Sequence, residues 1–227
     1  MILPSGNVSM DPAIAKLETV AELLEHLGDI PAERVRWQPL PGTATEKDVL
    51  AALKWPDRRL CELVDGTLVE KPMGFFEARL GGLIFYFIES YLGTNDLGFC
   101  LPADATLRIL PQLVRLPDVC FISWQRLPTR ELPAEAVPDL VPDLAVEVLS
   151  ESNTRREMER KRREYFQGGA RLVWELDPRK QTARVYTNVD QFKEIGPDGS
   201  LEGGDVLPGF VLPLQQLFAR AGRQRGS

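Results

Sequence analysis

Two acidic residues interrupt segments of this sequence that otherwise have the pattern of buried β-strands. Glu147 lies within L-A-V-E-V-L, and Asp118 follows Pro117 in R-L-P-D-V-C-F. A carboxylate in such a strand is costly unless it is paired, protonated or bound to a metal ion. Carboxylates from two strands suit Mg²⁺, which completes its octahedron with water and substrate phosphate. The pair is therefore a candidate metal site. The alternatives are a Glu147 neutralised by an arginine or a helix N-terminus, and an Asp118 that only shapes a turn.

The third candidate lies in the most basic segment of the chain. Thr154 and Glu157 have the spacing of a capping box, which predicts a helix over about 155–167. Lys161 and Arg162 both fall on the flanks of its inner face, and spacing alone does not choose between them. The alternative is a solvated helix with ion pairs such as Glu157–Lys161. The helix could otherwise supply a local positive patch. Its basic residues are Arg155, Arg156, Arg160, Lys161, Arg162 and Arg163.

Composition limits the chemistry that these residues could perform. The single histidine, His26, excludes zinc-hydrolase motifs, HNH-type nuclease centres and most Ser-His-Asp triads. The net charge of −6 counts against a nucleic-acid partner, because phosphate binding depends largely on lysine and arginine. The three cysteines are widely spaced, which predicts reduced thiols of a cytoplasmic protein. No apolar run is long enough to span a membrane, and the first residues lack the pattern of a signal peptide.

The elements that would position the candidates alternate between helices and strands. Residues 11–28 predict an amphipathic helix, and D-V-L-A-A-L-K predicts a second, short one. The Asp65-Gly66 turn between C-E-L-V-D and T-L-V-E-K predicts a β-hairpin. Residues 75–92 are apolar around most of their circumference and predict a central buried helix. Further strands are predicted in A-T-L-R-I-L, L-V-R-L-P-D-V-C-F-I-S, L-A-V-E-V-L, R-L-V-W-E-L-D, T-A-R-V-Y-T and Q-F-K-E-I. This order predicts an α/β or α+β fold, a mixed β-sheet flanked by helices.

Several of these motifs, in this order, resemble one bacterial family. They are R-L-P-D-V, P-D-L-A-V-E-V-L-S-x-S-N-T, and E-M-x-x-K-x-x-x-Y-F-x-x-G-x-R-L-V-W-x-x-D-P, with C-E-L-V-D-G-T-L-V-E-K-P-M-G upstream and D-V-L-P-G-F downstream. The family is the Uma-type group of restriction endonucleases assigned by sequence, within the PD-(D/E)XK nuclease superfamily. The resemblance covers about residues 42–218 and implies a restriction-endonuclease-like domain there. Residues 1–41 would be an N-terminal helical extension, and residues 219–227 a frayed tail.

The resemblance also implies roles for particular residues. The superfamily pattern is an Asp, a Glu, and a Lys two residues after the Glu. Asp118 and Glu147 match, but the third position is Leu149. The family takes its lysine from the following helix, where Lys161 stands. Glu77 fits the acidic residue that superfamily members often place near the metal, although an acid near a helix N-terminus is favourable in any case.

The resemblance implies a metal-dependent endonuclease that hydrolyses phosphodiester bonds, with DNA as the expected substrate. Asp118, Glu147 and the Val148 carbonyl would bind Mg²⁺ or Mn²⁺, and Lys161 would orient water or stabilise charge on the phosphate. Glu77 would reach the metal through water. One alternative is a non-catalytic nuclease-fold module for binding or regulation. Another is an unrelated α/β protein in which Glu147 forms a structural ion pair.

A homodimer is a further expectation of the sequence. Two-fold symmetry would match duplex DNA. An exposed apolar surface on the β-meander, formed by Val173, Trp174, Val185 and Tyr186, could pair two subunits.

Overall fold

The computed structural model describes residues 10–55, 59–72 and 74–222. Its α-helices are α1 (Val20–His26), α2 (Glu46–Ala52), α3 (Phe75–Leu92), α4 (Arg155–Gly168) and α5 (Leu214–Ala221), with 3₁₀ turns at Ile14–Lys16 and Ala32–Arg34. Its strands are β1 (Cys61–Val64), β2 (Thr67–Glu70), β3 (Gly98–Pro102), β4 (Leu107–Leu110), β5 (Leu113–Arg115), β6 (Val119–Ser123), β7 (Leu144–Val148), β8 (Leu172–Asp177), β9 (Thr182–Tyr186), β10 (Phe192–Ile195), β11 (Ser200–Glu202) and β12 (Val211–Pro213).

A six-stranded mixed sheet forms the centre of the molecule, in the order β10-β9-β8-β7-β6-β3. Strands β7 and β8 are parallel, and α4 is the crossover between them, as a parallel pair requires. A four-stranded sheet, β2-β1-β5-β4, and a two-stranded sheet, β11-β12, complete the fold. This architecture confirms the mixed α+β fold predicted from the sequence.

The two faces of the central sheet are covered by different helices. Alternate residues of β7, such as Val146, pack with α3 and α5 in one core cluster. The residues between them, such as Ala145, pack with Tyr165 of α4 and with Leu23 of the N-terminal segment in another. Glu147 is two residues after Ala145 in the same strand, so its side chain lies on the same face of the sheet, the one covered by α4.

Local signals predicted several elements accurately. The β1–β2 hairpin turns at Asp65 and Gly66, both of which have the positive φ angles (47° and 65°) of the expected two-residue turn. Helix α2 begins after Thr45, whose N–H donates to the Asp48 carboxylate at 2.8 Å. Helix α4 begins after Thr154 and ends at Gly169, whose φ is 103°.

Three local expectations were wrong. The helix predicted over 11–28 is interrupted, because Thr19 adopts an extended conformation and caps α1 by accepting from the Glu22 N–H. Helix α3 is buried on one face only, since Phe75 is 91% exposed. The strand predicted across Pro117 is split into β5 and β6, because proline has no N–H for the ladder. Strand β3 was not predicted at all.

The expected dimer surface is also wrong. Val173, Trp174 and Tyr186 are buried in the core, with exposed fractions of 1%, 0% and 3%. Helix α4 and the N-terminal segment cover the face that carries Val173, while α3 and α5 cover the face that carries Trp174. The β-meander therefore offers no exposed apolar surface of the kind proposed for pairing subunits.

The described residues at both ends of the chain are folded. Residues 10–35 pack on the core, and Val35 forms a β-bridge with Val69 of β2. Helix α5 reaches Ala221, which lies within the segment expected to be a frayed tail, and residues 223–227 lie outside the described residues. Within the described part of the chain, no helix combines the length and apolarity needed to cross a membrane.

Candidate active site

A row of charged residues crosses the central sheet in register. Glu147 of β7 lies beside Glu175 of β8, Glu175 beside Arg184 of β9, and Arg184 beside Glu194 of β10. We call these four residues, with Asp118 at the head of β6, the charged row. Because directly opposed strand residues share a face, the side chains of the four strand residues project toward the side that α4 occupies.

Asp118 stands at the β6 end of the row. Its N–H donates to the Val146 carbonyl at 2.9 Å, which places it beside Glu147. Its carboxylate accepts from the Val148 N–H at 2.7 Å and forms an ion pair with Lys71 at 2.9 Å. The side chain is 17% exposed. Asp118 is therefore held on two sides and still reaches solvent, as a ligand for an incoming ion must.

Glu147 is almost completely enclosed. Its carboxylate accepts a 2.6 Å hydrogen bond from the Tyr165 hydroxyl and lies 3.3 Å from the Lys161 ammonium. Burial, together with the nearby Asp118 charge, raises the pKa of Glu147 to about 7, although Lys161 opposes the shift. A bound cation would favour the ionised form of Glu147.

Lys161 points into the protein and contacts two carboxylates. Only 1% of the residue is exposed, and its ammonium lies 3.1 Å from Glu62 and 3.3 Å from Glu147. Arg162 points instead to Glu175, at 2.8 Å. The ambiguity between Lys161 and Arg162 is therefore resolved by geometry. The solvated Glu157–Lys161 pair is not formed, since Glu157 pairs with Arg34.

Glu62 is a member of this cluster that the sequence reasoning missed. It accepts from Arg115 at 2.7 Å and from the Leu116 N–H at 3.2 Å, in addition to its contact with Lys161. Burial alone would raise the pKa of Glu62, but Lys161 and Arg115 lower it to about 2. Glu62 interrupts the apolar C-E-L-V just as Glu147 interrupts L-A-V-E-V-L, so the same signal could have found it.

Two further residues of the centre were not singled out. Lys71, only 5% exposed, follows β2 and donates to the Leu116 carbonyl at 2.6 Å as well as pairing with Asp118. Tyr165 of α4 is the second: its buried hydroxyl donates to Glu147 at 2.6 Å, a contact that the sequence reasoning did not foresee. A lysine directly after a buried strand is a weak signal, because lysines commonly flank strands at the surface.

Glu77 lies close to this centre but is not part of the network. A Cβ at Gly81, one turn further along α3, would lie 3.8 Å from the Asp118 Cβ, so Glu77 lies on the helix face nearest to Asp118. The Glu77 carboxylate folds back against Gly74 at the start of its own helix. It forms no hydrogen bond or ion pair within the described ranges. Leu149, at the usual lysine position of the superfamily, donates its N–H to the Leu176 carbonyl.

The donor set fits a magnesium ion that keeps most of its water. Mg²⁺ is commonly bound through one or two carboxylates plus water and phosphate. Asp118 and Glu147 supply two carboxylates whose mutual repulsion contributes to the raised pKa of Glu147. The N–H and C=O of a strand residue point to the same side, so the Val148 carbonyl faces the Asp118 side as well. Among the described residues, no group of three or more acidic, histidine or cysteine side chains could hold a metal by itself.

The expected positive patch on α4 is largely neutralised. Arg155 pairs with Glu159, and Arg160 pairs with Glu164. An open groove of about 820 Å³ runs between α4 and the outer part of the charged row. Six basic and six acidic side chains line it, so the groove has no net charge to attract phosphates. The basic ones are Arg155, Arg162, Arg163, Arg179, Lys180 and Arg184, and the acidic ones are Glu151, Glu159, Glu175, Asp177, Asp190 and Glu194.

The N-terminal segment holds α4 in place. Arg34, 5% exposed, donates to both carboxylate oxygens of Glu157, at 2.6 and 2.9 Å. The Thr154 hydroxyl donates to the Gly28 carbonyl. Gly28 has a φ of 99°, and a Cβ there would lie 2.8 Å from the Glu157 Cα, so this close approach requires glycine. The segment therefore fixes the first turn of the helix that carries Lys161.

Fold and buried charge centre together define a nuclease-fold protein of the restriction-endonuclease-like class. Residues 51–215 match the model of the family Uma2, described as "Putative restriction endonuclease". The chain belongs to this family.

A solved structure shows the same fold. It is described as "a putative nuclease belonging to DUF820" from Anabaena variabilis ATCC 29413, and it is 20% identical to this chain with a TM-score of 0.63. The match covers 74% of this chain and 96% of that one. No curated protein matches the chain.

Proposed function

We propose that this protein is a Mg²⁺- or Mn²⁺-dependent endonuclease that hydrolyses phosphodiester bonds of DNA. One observation carries the proposal: Asp118 and Glu147 lie side by side at the ends of adjacent strands, with the buried Lys161 ammonium 3.3 Å from Glu147. DNA is the proposed substrate because the description of the family is that of a restriction endonuclease.

Each residue of the centre has a defined role in this mechanism. Asp118 and Glu147 would hold the ion, together with the Val148 carbonyl. The bound ion supplies Lewis-acid activation of a water molecule and of the scissile phosphate. Lys161 stabilises the negative charge that develops on the phosphate. Lys71 keeps the Asp118 carboxylate in place, and Glu77 would reach the ion through a water molecule.

The first test is Mn²⁺ binding by calorimetry, without nucleic acid and with a short duplex that carries a non-hydrolysable linkage. The wild type should bind, and Asp118→Asn and Glu147→Gln should each abolish binding. Glu175→Gln is the matched control, since it removes a neighbouring buried carboxylate of the charged row and should leave Mn²⁺ affinity unchanged. A wild type that binds no Mn²⁺ at millimolar concentration in either condition would contradict the proposal.

The second test is cleavage of plasmid DNA in Mg²⁺ or Mn²⁺. Single-stranded DNA and RNA of the same sequence, offered in parallel, determine the substrate class. EDTA should abolish the activity, and Glu147→Gln should abolish it at every metal concentration.

A specific observation favours the alternative of a non-catalytic binding module. Four of the five arginines of α4 are already paired with acids, and the groove beside the helix has balanced charge. Such a module would lack both Mn²⁺ binding at Asp118 and cleavage of any substrate. The two experiments therefore separate the alternatives.

A further inference from the structure

Glu62 lies at the centre of the buried charges without being beside the proposed metal site. It is a residue of β1, is 0% exposed and receives three donors: Lys161, Arg115 and the Leu116 N–H. All four residues of β1 are buried. A carboxylate in such a strand is tolerated only when it is fully compensated, and these three donors compensate it.

Lys161 needs a fixed counter-charge. A lysine ammonium is a point charge on a flexible four-carbon stem, so its position depends on the anions around it. The two carboxylates in contact with this ammonium are Glu62 at 3.1 Å and Glu147 at 3.3 Å. Glu147 is also the carboxylate that the proposed function assigns to the metal. When Glu147 binds a cation, Glu62 is the anion that continues to hold Lys161.

Glu62 is itself held more firmly than Glu147. Arg115 contacts Glu62 at 2.7 Å and also donates to Glu164 of α4 at 2.5 Å. The Leu116 N–H anchors the other oxygen of Glu62 to the segment that leads to Asp118. A guanidinium that bridges β1 and α4 fixes the distance between the carboxylate and the helix that carries Lys161.

From this geometry we propose that Glu62 is a positioning residue for Lys161. It holds the ammonium between β1 and Glu147, so that the lysine remains beside the metal carboxylates when they bind a cation. This inference rests on the proposed function for the catalytic role of Lys161. The contact itself does not depend on that role.

The first experiment measures the accessibility of Lys161 and does not require the protein to be active. Lysines are labelled with acetic anhydride in the folded protein, with and without Mn²⁺, and are quantified by mass spectrometry. Lys161 should be protected in the wild type and in Glu175→Gln, and labelled several times faster in Glu62→Gln. Lys71, also buried, is the internal control and should stay protected in all three proteins. Equal protection of Lys161 in Glu62→Gln and the wild type would overturn the proposal.

The second arm measures cleavage. Glu62→Gln should lower kcat about 10- to 100-fold, the usual effect of a residue that orients a ligand or catalytic group, with Mn²⁺ affinity and KM nearly unchanged. Glu62→Asp, which keeps the charge, should recover part of kcat. In a Lys161→Met background, Glu62→Gln should have no further effect on kcat, because its action passes through the lysine.

The outcomes separate the two proposals. A kcat of Glu62→Gln equal to that of Glu175→Gln, or an additive loss in the double variant, would overturn the positioning role. If the wild type cleaves nothing, the proposed function fails, and the labelling arm still decides whether Glu62 holds Lys161. If Glu62→Gln does not fold, Glu62→Asp takes its place, and unchanged labelling and unchanged kcat in that variant would count against the proposal.

Discussion

The charged row has two halves that use similar residues in different ways. In its inner half, Glu147 lies beneath the buried Lys161, and Asp118 lies beside Glu147 and pairs with Lys71. In its outer half, Glu175 lies beneath Arg162 at the edge of the open groove. Both halves are on one face of one sheet and are covered by the same helix. The difference between them lies in how completely each carboxylate is matched by a cation.

In the outer half, Glu175 forms an ion pair with Arg162. Arg162 donates to Glu175 at 2.8 Å and to the Val189 carbonyl at 2.8 Å, and its guanidinium lies 4.1 Å from the centre of the Tyr186 ring. An arginine placed in this way is committed to one geometry. Burial raises the pKa of Glu175, but Arg162 lowers it again in part.

In the inner half, two carboxylates share one cation. One ammonium, that of Lys161, is shared between Glu147 and Glu62, and the neighbouring Asp118 adds a further negative charge. Lys71 pairs with Asp118, and Arg115 pairs with Glu62. Glu147 is therefore the inner carboxylate that depends on a shared cation, whereas Glu175 pairs with Arg162. This difference explains why adjacent carboxylates of one row can be a candidate metal ligand and a structural residue.

The largest expected effect is on stability and compares the two helix cations. Lys161→Met leaves Glu62 and Glu147 buried with one cation fewer and should lower the free energy of unfolding by about 3–5 kcal/mol at pH 7.5. Arg162→Met exposes Glu175 to the water of the groove and should cost only about 2 kcal/mol. Urea unfolding followed by circular dichroism measures both. Equal losses would show that the two halves are equally closed to solvent.

The next effect is on activity and compares two carboxylates that are direct neighbours in register. Glu147→Gln removes a proposed metal ligand and should lower cleavage about 100-fold or more. Glu175→Gln should stay within a fewfold of the wild type, because Glu175 pairs with Arg162, to which the mechanism assigns no role. Initial rates of plasmid nicking at saturating Mn²⁺ measure both. A comparable loss in Glu175→Gln would extend the active centre across the whole row.

A smaller effect concerns the pH dependence of stability in EDTA. The pKa of Glu147 is raised to about 7, so its contribution to stability is fully present below pH 4.5 and is lost as the pH rises through 7. Glu62, whose pKa is lowered, contributes in the opposite sense: its contribution is present above pH 4.5 and is lost as the pH falls toward 2.

The wild type should therefore lose stability relative to Glu147→Gln between pH 5 and pH 8, by on the order of 2 kcal/mol. Urea unfolding of both proteins at the two pH values measures the change. A difference between the two proteins that stays constant across this range would contradict the raised pKa of Glu147. Mn²⁺ added at pH 8 should restore the stability of the wild type alone.

The sequence predicted the parts of the site that depend on local signals. A single acid within an apolar strand identified Asp118 and Glu147, and the capping residues of α4 placed Lys161 within one position. The hairpin that carries Glu62 was also predicted, from its Asp65-Gly66 turn. These features depend on neighbours in the chain, so their pattern is visible without the fold.

The parts that were missed depend on contacts between distant segments. Lys71 reaches Asp118 across 47 positions (118 − 71), and Glu62 reaches Lys161 across 99 (161 − 62). No local pattern reports such a pairing. The positive patch expected on α4 was wrong only in part for this reason. Arg155 and Arg160 pair with acids of the same helix, whereas the acid that neutralises Arg156 lies in the N-terminal segment, at Asp29. The buried state of Trp174 likewise depends on α3 and α5, which pack on it from elsewhere in the chain.

The smallest expected effect is at the outer end of the row. Glu194 is exposed on β10, opposite Arg184, whose guanidinium lies over the Phe192 ring. Glu194→Gln should change the free energy of unfolding by no more than about 0.5 kcal/mol, because an exposed cross-strand charge pair contributes little. It should leave the cleavage rate unchanged. Urea unfolding and plasmid nicking are measured for Glu194→Gln, Glu175→Gln and Glu147→Gln under the same conditions, so that the three positions can be compared. If burial and incomplete charge pairing set the importance of each carboxylate for the reaction, the loss of cleavage must be large at Glu147 and small at Glu175 and Glu194. A loss of cleavage at Glu194 as large as that at Glu147 would mean that the groove is a connected part of the site, and the division of the row into two halves would be wrong.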